Sequence, residues 1–308
     1  MNIATIFNPK NTLQLFGLNE KFSFFKNLIL TDNLPKVILL TGEKGIGKST
    51  LINHLMYYYF DKKNYDLERK MITKDSFIFK NFFANSFPNI IYLNGSDSNN
   101  ISIDNVRTLK GQLTKRPILD LKRFILLDNI ENFNLNSLNA LLKLIEEPND
   151  KNYFILINNR SKPLLETIKS RCLEIKMIIN RKKKSEIIDF LLDKFSQKLV
   201  LEKDLVPASP GNFIKFNFIF NEYKLDIKEN LLSNFKIILN LFRKEKDFIY
   251  KDLLLFLIEY YSQINILRNP LNKQKFIENR IFIVQNINNF FLYNLNQSTL
   301  LNSIENNF

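Results

Sequence analysis

Across residues 37–176, short apolar runs alternate with segments whose apolar residues recur every three or four positions. Val37-Ile38-Leu39-Leu40, Ile90-Ile91-Tyr92-Leu93, Phe124-Ile125-Leu126-Leu127, Tyr153-Phe154-Ile155-Leu156-Ile157 and Leu173-Glu174-Ile175 read as strands. Apolar runs this continuous suit strands buried on both faces. Between them the spacing predicts helices carrying Leu51, Leu55, Tyr58 and Tyr59, then Val106, Leu109 and Leu113, then Leu138, Leu141, Leu142 and Ile145, then Leu164, Leu165 and Ile168. Another helix, Phe22 to Leu30, precedes the first strand. Asp104 and Asn134 stand where N-caps belong, and Pro117 and Pro148 close their segments. Gly95 to Asn100 reads as a loop, and Asp61 to Asn81 as a polar stretch with few signals. Strand–helix alternation of this kind predicts an α/β domain with a parallel, helix-covered sheet.

From Asn180 the strand pattern stops. Ile187 to Phe195 is helical, Pro207, Pro210 and Gly211 punctuate, and apolar-periodic segments run over Leu231–Phe242, Leu253–Leu267 and Phe276–Leu295. This half reads as all-helical, a small lid followed by a bundle, with no internal repeat.

One stretch carries chemistry. Gly42-Glu43-Lys44-Gly45-Ile46-Gly47-Lys48-Ser49-Thr50 fits the phosphate-cradling pattern G-x-x-x-x-G-K-[ST], and it lies between a predicted strand and a predicted helix. Gly42, Gly45 and Gly47 let the backbone aim N–H groups at phosphate oxygens. Lys48 supplies charge at the β/γ end, and the Ser49 hydroxyl suits Mg²⁺. The following helix N-terminus favours an anion. The chain has seven glycines, and three of them sit in this loop, which makes a chance match improbable. Arg123-Phe124-Ile125-Leu126-Leu127-Asp128 then reads as the metal strand of a phosphate-loop NTPase, with Asp128 at the carboxyl end where ligands sit.

Composition narrows the rest. The 308 residues are 45% hydrophobic, without an apolar run long enough for a transmembrane helix and without a signal-peptide pattern. The one cysteine, Cys172, excludes an internal disulfide and a cysteine zinc site, and a cytoplasmic protein is expected. The net charge of +13 fits either contact with nucleic acid or an acidic partner, or an Asn/Ile/Lys/Phe-rich composition typical of an AT-rich genome. The charge is spread along the chain, and its densest run, Arg181-Lys182-Lys183-Lys184, reads as a solvated helix start.

Two further motifs follow Asp128 in order: Asn139-Ala140-Leu141-Leu142-Lys143-Leu144-Ile145-Glu146-Glu147-Pro148 and Ser170-Arg171-Cys172. With the phosphate loop they resemble the bacterial clamp-loader subunits of the AAA+ class. The likeness is close from about residue 10 to 180 and general beyond, and nearer the delta-prime type than the motor type. It implies an AAA+ nucleotide-binding domain over 1–177, a helical lid over 178–222 and a helical collar for oligomerisation over 223–308. It implies that Gly42, Gly45, Gly47, Lys48, Ser49 and Thr50 bind nucleotide phosphates, that Ser49 and Asp128 hold Mg²⁺, and that Asn158 or Asn159 stands at the sensor position. Arg171 would be an arginine finger serving a neighbouring subunit's ATP. Other clamp-loader subunits would be the partners in a hetero-oligomer, with the sliding clamp and primed DNA reached through the complex, and no membrane.

Three departures from the motor subunits bear on activity. The metal strand ends Asp128-Asn129 rather than Asp-Glu, and an amide cannot take a proton from water; Glu131 lies two residues on and is not expected to point the same way. Ala208-Ser209-Pro210-Gly211-Asn212 lacks the lid arginine. Residues 56–90 contain no cysteine, so no zinc module is expected. The resemblance therefore implies ATP and Mg²⁺ as cofactors with little or no hydrolysis by this chain. The alternatives are an active motor subunit of the same loader, or a stand-alone P-loop kinase, for which no acceptor site is evident. His54, Cys172, Tyr260-Tyr261 and Phe290-Phe291 read as packing residues.

Overall fold

The computed structural model describes residues 6–74, 76–84, 86–95, 101–117, 119–227 and 231–305. Most of the expected loop after Gly95, residues 96–100, lies outside them. The chain divides into two compact units, 1–187 and 188–308.

The first unit is built on strands β1 (Val37–Thr41), β4 (Ile90–Asn94), β5 (Arg123–Asp128), β6 (Asn152–Asn158) and β7 (Leu173–Lys176), with a two-stranded hairpin of β2 (Tyr65–Asp66) and β3 (Met71–Ile72) apart from them. The five strands are parallel, in the order β4-β5-β6-β1-β7. The phosphate loop joins β1 to α2 (Lys48–Phe60), so it opens at the carboxyl ends of the central strands. Because side chains alternate along a strand, each apolar run feeds two cores. Ile38, Leu40, Phe124, Leu126, Ile155 and Ile157 pack on the side of α1 (Asn19–Leu30) and α2. Val37, Leu39, Ile125, Leu127, Phe154 and Leu156 pack on the side of α4 (Ile103–Leu113) and α5 (Leu135–Glu146).

Caps and short elements correct the sequence reading in places. Asn134 caps α5, its side chain accepting from Ser137 N at 2.8 Å. The N-cap of α4 is Ser102 rather than Asp104: Asn105 Oδ1 accepts from Ser102 N at 2.8 Å, while Asp104 pairs with Arg107 inside the first turn. The polar stretch from Asp61 to Asn81 holds the β2–β3 hairpin and most of α3 (Phe77–Phe83), capped by Ser76. Leu164 and Leu165 precede α6 (Glu166–Lys169), which is a single turn.

The division between the units falls inside α7 (Arg181–Lys194). The second unit continues with α8 (Pro210–Glu222), α9 (Leu231–Glu245), α10 (Ile249–Arg268), α11 (Lys273–Tyr293) and α12 (Gln297–Glu305). Pro210, read as punctuation, is the first residue of α8, where its missing N–H is no loss. Asn217, fully buried, accepts from Val200 N at 2.9 Å and donates to Lys198 O, fixing the loop before α8. Tyr260 is buried, Phe290 nearly so, and Phe291 packs edge-on against Phe242 at 4.7 Å, so these aromatic pairs pack within the unit. No helix among the described residues is long and apolar enough to cross a membrane.

Candidate nucleotide site

The loop from Gly42 to Lys48 has the geometry its glycines permit. Gly45 and Gly47 take φ of 86° and 95°, a region L side chains rarely adopt, and Gly47 is the N-cap of α2. The backbone N–H groups of Gly45, Gly47 and Lys48 have no acceptor among the described residues. Three free donors at a helix N-terminus form an anion nest. Gly42 is needed for close approach: a Cβ there would lie 2.7 Å from Met177 O and 3.1 Å from Met177 Cβ. Gly42→Ala should therefore lower stability by roughly 1–3 kcal/mol through forced backbone shifts. A denaturant melt checks this.

Lys48 is buried, with its Nζ donating to Gly42 O and Glu43 O, both at 2.7 Å. Burial pushes its pKa down to about 8, although the carboxylates of Asp128 and Glu131 pull the other way. The sign is clear. Free protein sheds this proton as pH rises through about 8, and bound phosphate would hold it, so nucleotide affinity should fall above that pH, by at most about tenfold per unit. In the free chain the strain of burying the charge is relieved between about 8 and the ordinary lysine value of 10.5, so stability rises with pH in that window. A pH series of nucleotide titrations tests the first effect.

Ser49 Oγ donates to Asp128 Oδ2 at 2.7 Å, bringing the two expected metal ligands together. Tyr92 OH donates to the same oxygen at 3.2 Å, and Asn129 N donates to Oδ1 at 2.9 Å. Burial raises the Asp128 pKa against these bonds and against Lys48. A nest of free N–H groups, an ammonium, and a hydroxyl paired with a carboxylate make a donor set that fits a phosphate chain with a hard cation.

The ends of β4, β5 and β6 are joined by amides. Asn129 Nδ2 donates to Asn94 Oδ1, and Asn159 Nδ2 to Asn129 Oδ1, both at 2.7 Å. Asn159 is thus the residue of the Asn158-Asn159 pair that stands against the metal strand. Asn158 is buried, and its Oδ1 accepts from Arg160 N at 2.8 Å. Glu131, which sequence reasoning set aside, is also buried here. Its Oε1 accepts from Asn159 N at 3.1 Å and Ser161 Oγ at 2.8 Å, and its Oε2 has no hydrogen-bond partner. Asn129, at φ 53°, turns the chain into the short helical turn Ile130–Asn132 that sends Glu131 inward. Thr50 is half-buried on the first turn of α2.

Arg171 lies apart, on the surface after α6. Its Nε donates to Glu146 Oε1 at 2.7 Å, Nη2 lies 2.5 Å from the same oxygen, and Nη1 donates to Thr167 O at 2.9 Å. Glu146 belongs to the Asn139–Pro148 segment, so the two motifs touch. The side chains keep 35% and 44% of their surface exposed, and an outside anion can compete for the guanidinium.

The lone features are structural. His54 is buried, with Nε2 donating to Thr12 O at 2.9 Å, which leaves Nδ1 to accept from Tyr65 OH at 3.0 Å. Cys172 Sγ contacts Ile168 O, and burial raises its thiol to about 12, far from a reactive thiolate. Among the described residues no His, Cys, Asp and Glu cluster suited to a metal occurs.

Residues 17–180 match the family described as DNA polymerase III, delta subunit. DNA polymerase III subunit delta′ of Pseudomonas aeruginosa is 40% identical over 24% of this chain and 23% of its own length. The delta′ subunit of Buchnera aphidicola is 30% identical over 33% of this chain and 31% of its own. The chain thus spans less than a third of either relative's length in the matched segments. A gamma subunit-related protein of DNA polymerase III from Thermotoga maritima is similar at a TM-score of 0.46 and 17% identity, over 92% of this chain and 96% of that one. That likeness is distant, and the fold rests on the sheet order. With more than half its residues inside the matched segment, the chain belongs to the DNA polymerase III delta-subunit family, as a subunit of delta-prime type.

Proposed function

We propose that this chain works as a clamp-loader subunit that binds ATP with Mg²⁺ at its own phosphate loop, turns it over slowly or not at all, and presents Arg171 to a neighbour's nucleotide. The observation that carries this reading is the split between the two places. The phosphate site has a cradle and metal ligands but Asn129 where a water-activating carboxylate would stand, while Arg171 is exposed beyond it on a carboxylate it can leave. Mg²⁺, when bound, would offset the negative charge of the phosphates. Lys48 and the N–H groups of Gly45, Gly47 and Lys48 hold phosphate oxygens, and Ser49 and Asp128 hold the cation. Asn129 and Asn159 orient polar groups at the strand ends but accept no proton. Arg171, a fixed planar guanidinium, stabilises charge on a phosphoryl group in the adjoining subunit.

In this reading residues 178–222 form a lid and 223–308 a collar through which the subunits associate. The assembly they form opens a sliding clamp and places it on primed DNA. The test is phosphate release by the isolated protein with saturating Mg-ATP. Binding with turnover far below a motor subunit's supports the proposal, and turnover equal to a motor subunit's overturns it.

A further inference from the structure

Beside the phosphate loop stands a cation that neither the motif nor the resemblance assigns. The first residue of the loop is tied to the end of β6: Gly42 N donates to Asn158 O at 3.2 Å, and Thr41 pairs with Asn158 in the sheet. Two residues later the chain turns sharply. Arg160 takes φ of 58°, a left-handed conformation that most L residues avoid, and Asn158 Oδ1 holds its N–H at 2.8 Å. The turn leaves the Arg160 side chain exposed, and among the described residues no carboxylate or carbonyl pairs with its guanidinium. That guanidinium is close enough to Lys48 to work against the ammonium's charge. Glu131 Oε1 accepts from Asn159 N and Ser161 Oγ, and its Oε2 takes no hydrogen bond from Arg160.

Lys48 and Arg160 repel each other; the carboxylates of Asp128 and Glu131 offset the ammonium's charge, and a bound polyanion would give the exposed guanidinium a partner as well. Lys48 belongs at the β/γ end of a bound nucleotide. A second cation beside it, arriving from the β6 end, therefore meets the terminal phosphate rather than the α-phosphate or the sugar.

We infer that Arg160 is a phosphate-binding residue in cis, contacting the γ-phosphate, so that this site prefers a nucleoside triphosphate to a diphosphate. The inference rests on the reading of residues 42–50 as a nucleotide site and deepens it. Because a planar guanidinium binds phosphate through paired N–H groups, lysine should replace arginine only in part.

The test is calorimetric titration of the full chain with Mg-ATPγS and Mg-ADP, in the original protein and in Arg160→Asn and Arg160→Lys. Asparagine tolerates the left-handed conformation, so the first variant keeps the turn. Arg160→Asn should weaken ATPγS by roughly tenfold, the worth of one charge-assisted contact, and leave ADP within about twofold. Arg160→Lys should fall between, with thermal unfolding of both variants unchanged. ATPγS and ADP weakened equally, or neither weakened, overturns the inference while the nucleotide site stands. If the original, folded protein binds neither nucleotide, the site reading itself fails and the inference with it.

Discussion

Arg171→Ala should cut ATP hydrolysis by a reconstituted loader by roughly 10³-fold or more per affected site, the range that removal of an arginine finger commands. The same substitution should barely change the stability of this chain. Its ion pair with Glu146 is partly solvated, and pairs of that kind contribute at most about 1 kcal/mol. The contrast separates the proposed role from a structural one. A guanidinium kept for folding would show its loss in a melt, and one kept for a neighbour's phosphate would show it only in the assembly. Arg171→Lys should not rescue, because a single ammonium cannot reproduce the planar two-bond grip on phosphoryl oxygens. Steady-state phosphate release by the loader, paired with a denaturant melt of the isolated variant, reads both effects.

Lys48→Met should weaken nucleotide binding by this chain by about 10²-fold, because it removes a buried, hydrogen-bonded charge from the cradle. Methionine keeps most of the volume of the lysine stem. What disappears are the two bonds to Gly42 O and Glu43 O, which hold the loop in the free state. Against that loss stands the desolvation that lowers the lysine's pKa to about 8, so the free chain should lose little stability or gain some. Titration with a fluorescent ATP analogue and a thermal melt of the same sample measure the two quantities. The pH dependence above about 8 should vanish in this variant, since the titrating group is gone.

Much of the first unit was legible in the sequence, for particular reasons. Val37 to Leu40 is continuous apolar sequence because both faces of β1 are covered, and the loop after it needs glycine at left-handed positions that few other residues fill. Asn134 announced α5 because a cap is a local interaction between neighbours in sequence. What escaped depends on contacts between distant segments. Helix α3 is seven residues long, and Phe82 is held by Tyr57 from α2, with ring centres 5.2 Å apart. Nothing near Phe82 in the sequence announces that partner.

The Asn158-Asn159 pair shows the other limit. Asn158 continues the side of β6 that carries Phe154 and Leu156, so the next residue, Asn159, takes the opposite side and meets Asn129. A one-residue shift in a strand exchanges the faces, and two adjacent asparagines give no clue to which is meant. Glu131 is hard to read from sequence because, two residues beyond a strand end, the direction of a side chain depends on the turn. Here the left-handed Asn129 carries it inward, next to the strand ends. Strand parity at Phe154 and Leu156, counted forward, puts Asn158 and Asn159 on opposite faces without saying which face meets a phosphate.

The most direct test places one substitution at a time in this chain alone, within a loader whose other subunits are unaltered, and measures ATP hydrolysis by each assembly. Arg171→Ala should depress the rate steeply while Lys48→Met leaves it near that of the original, because the chain aids a neighbour's site and does not turn over its own. The reverse pattern, with hydrolysis lost on Lys48→Met and kept on Arg171→Ala, would mean that the chain is itself a motor and that its exposed arginine serves no neighbour.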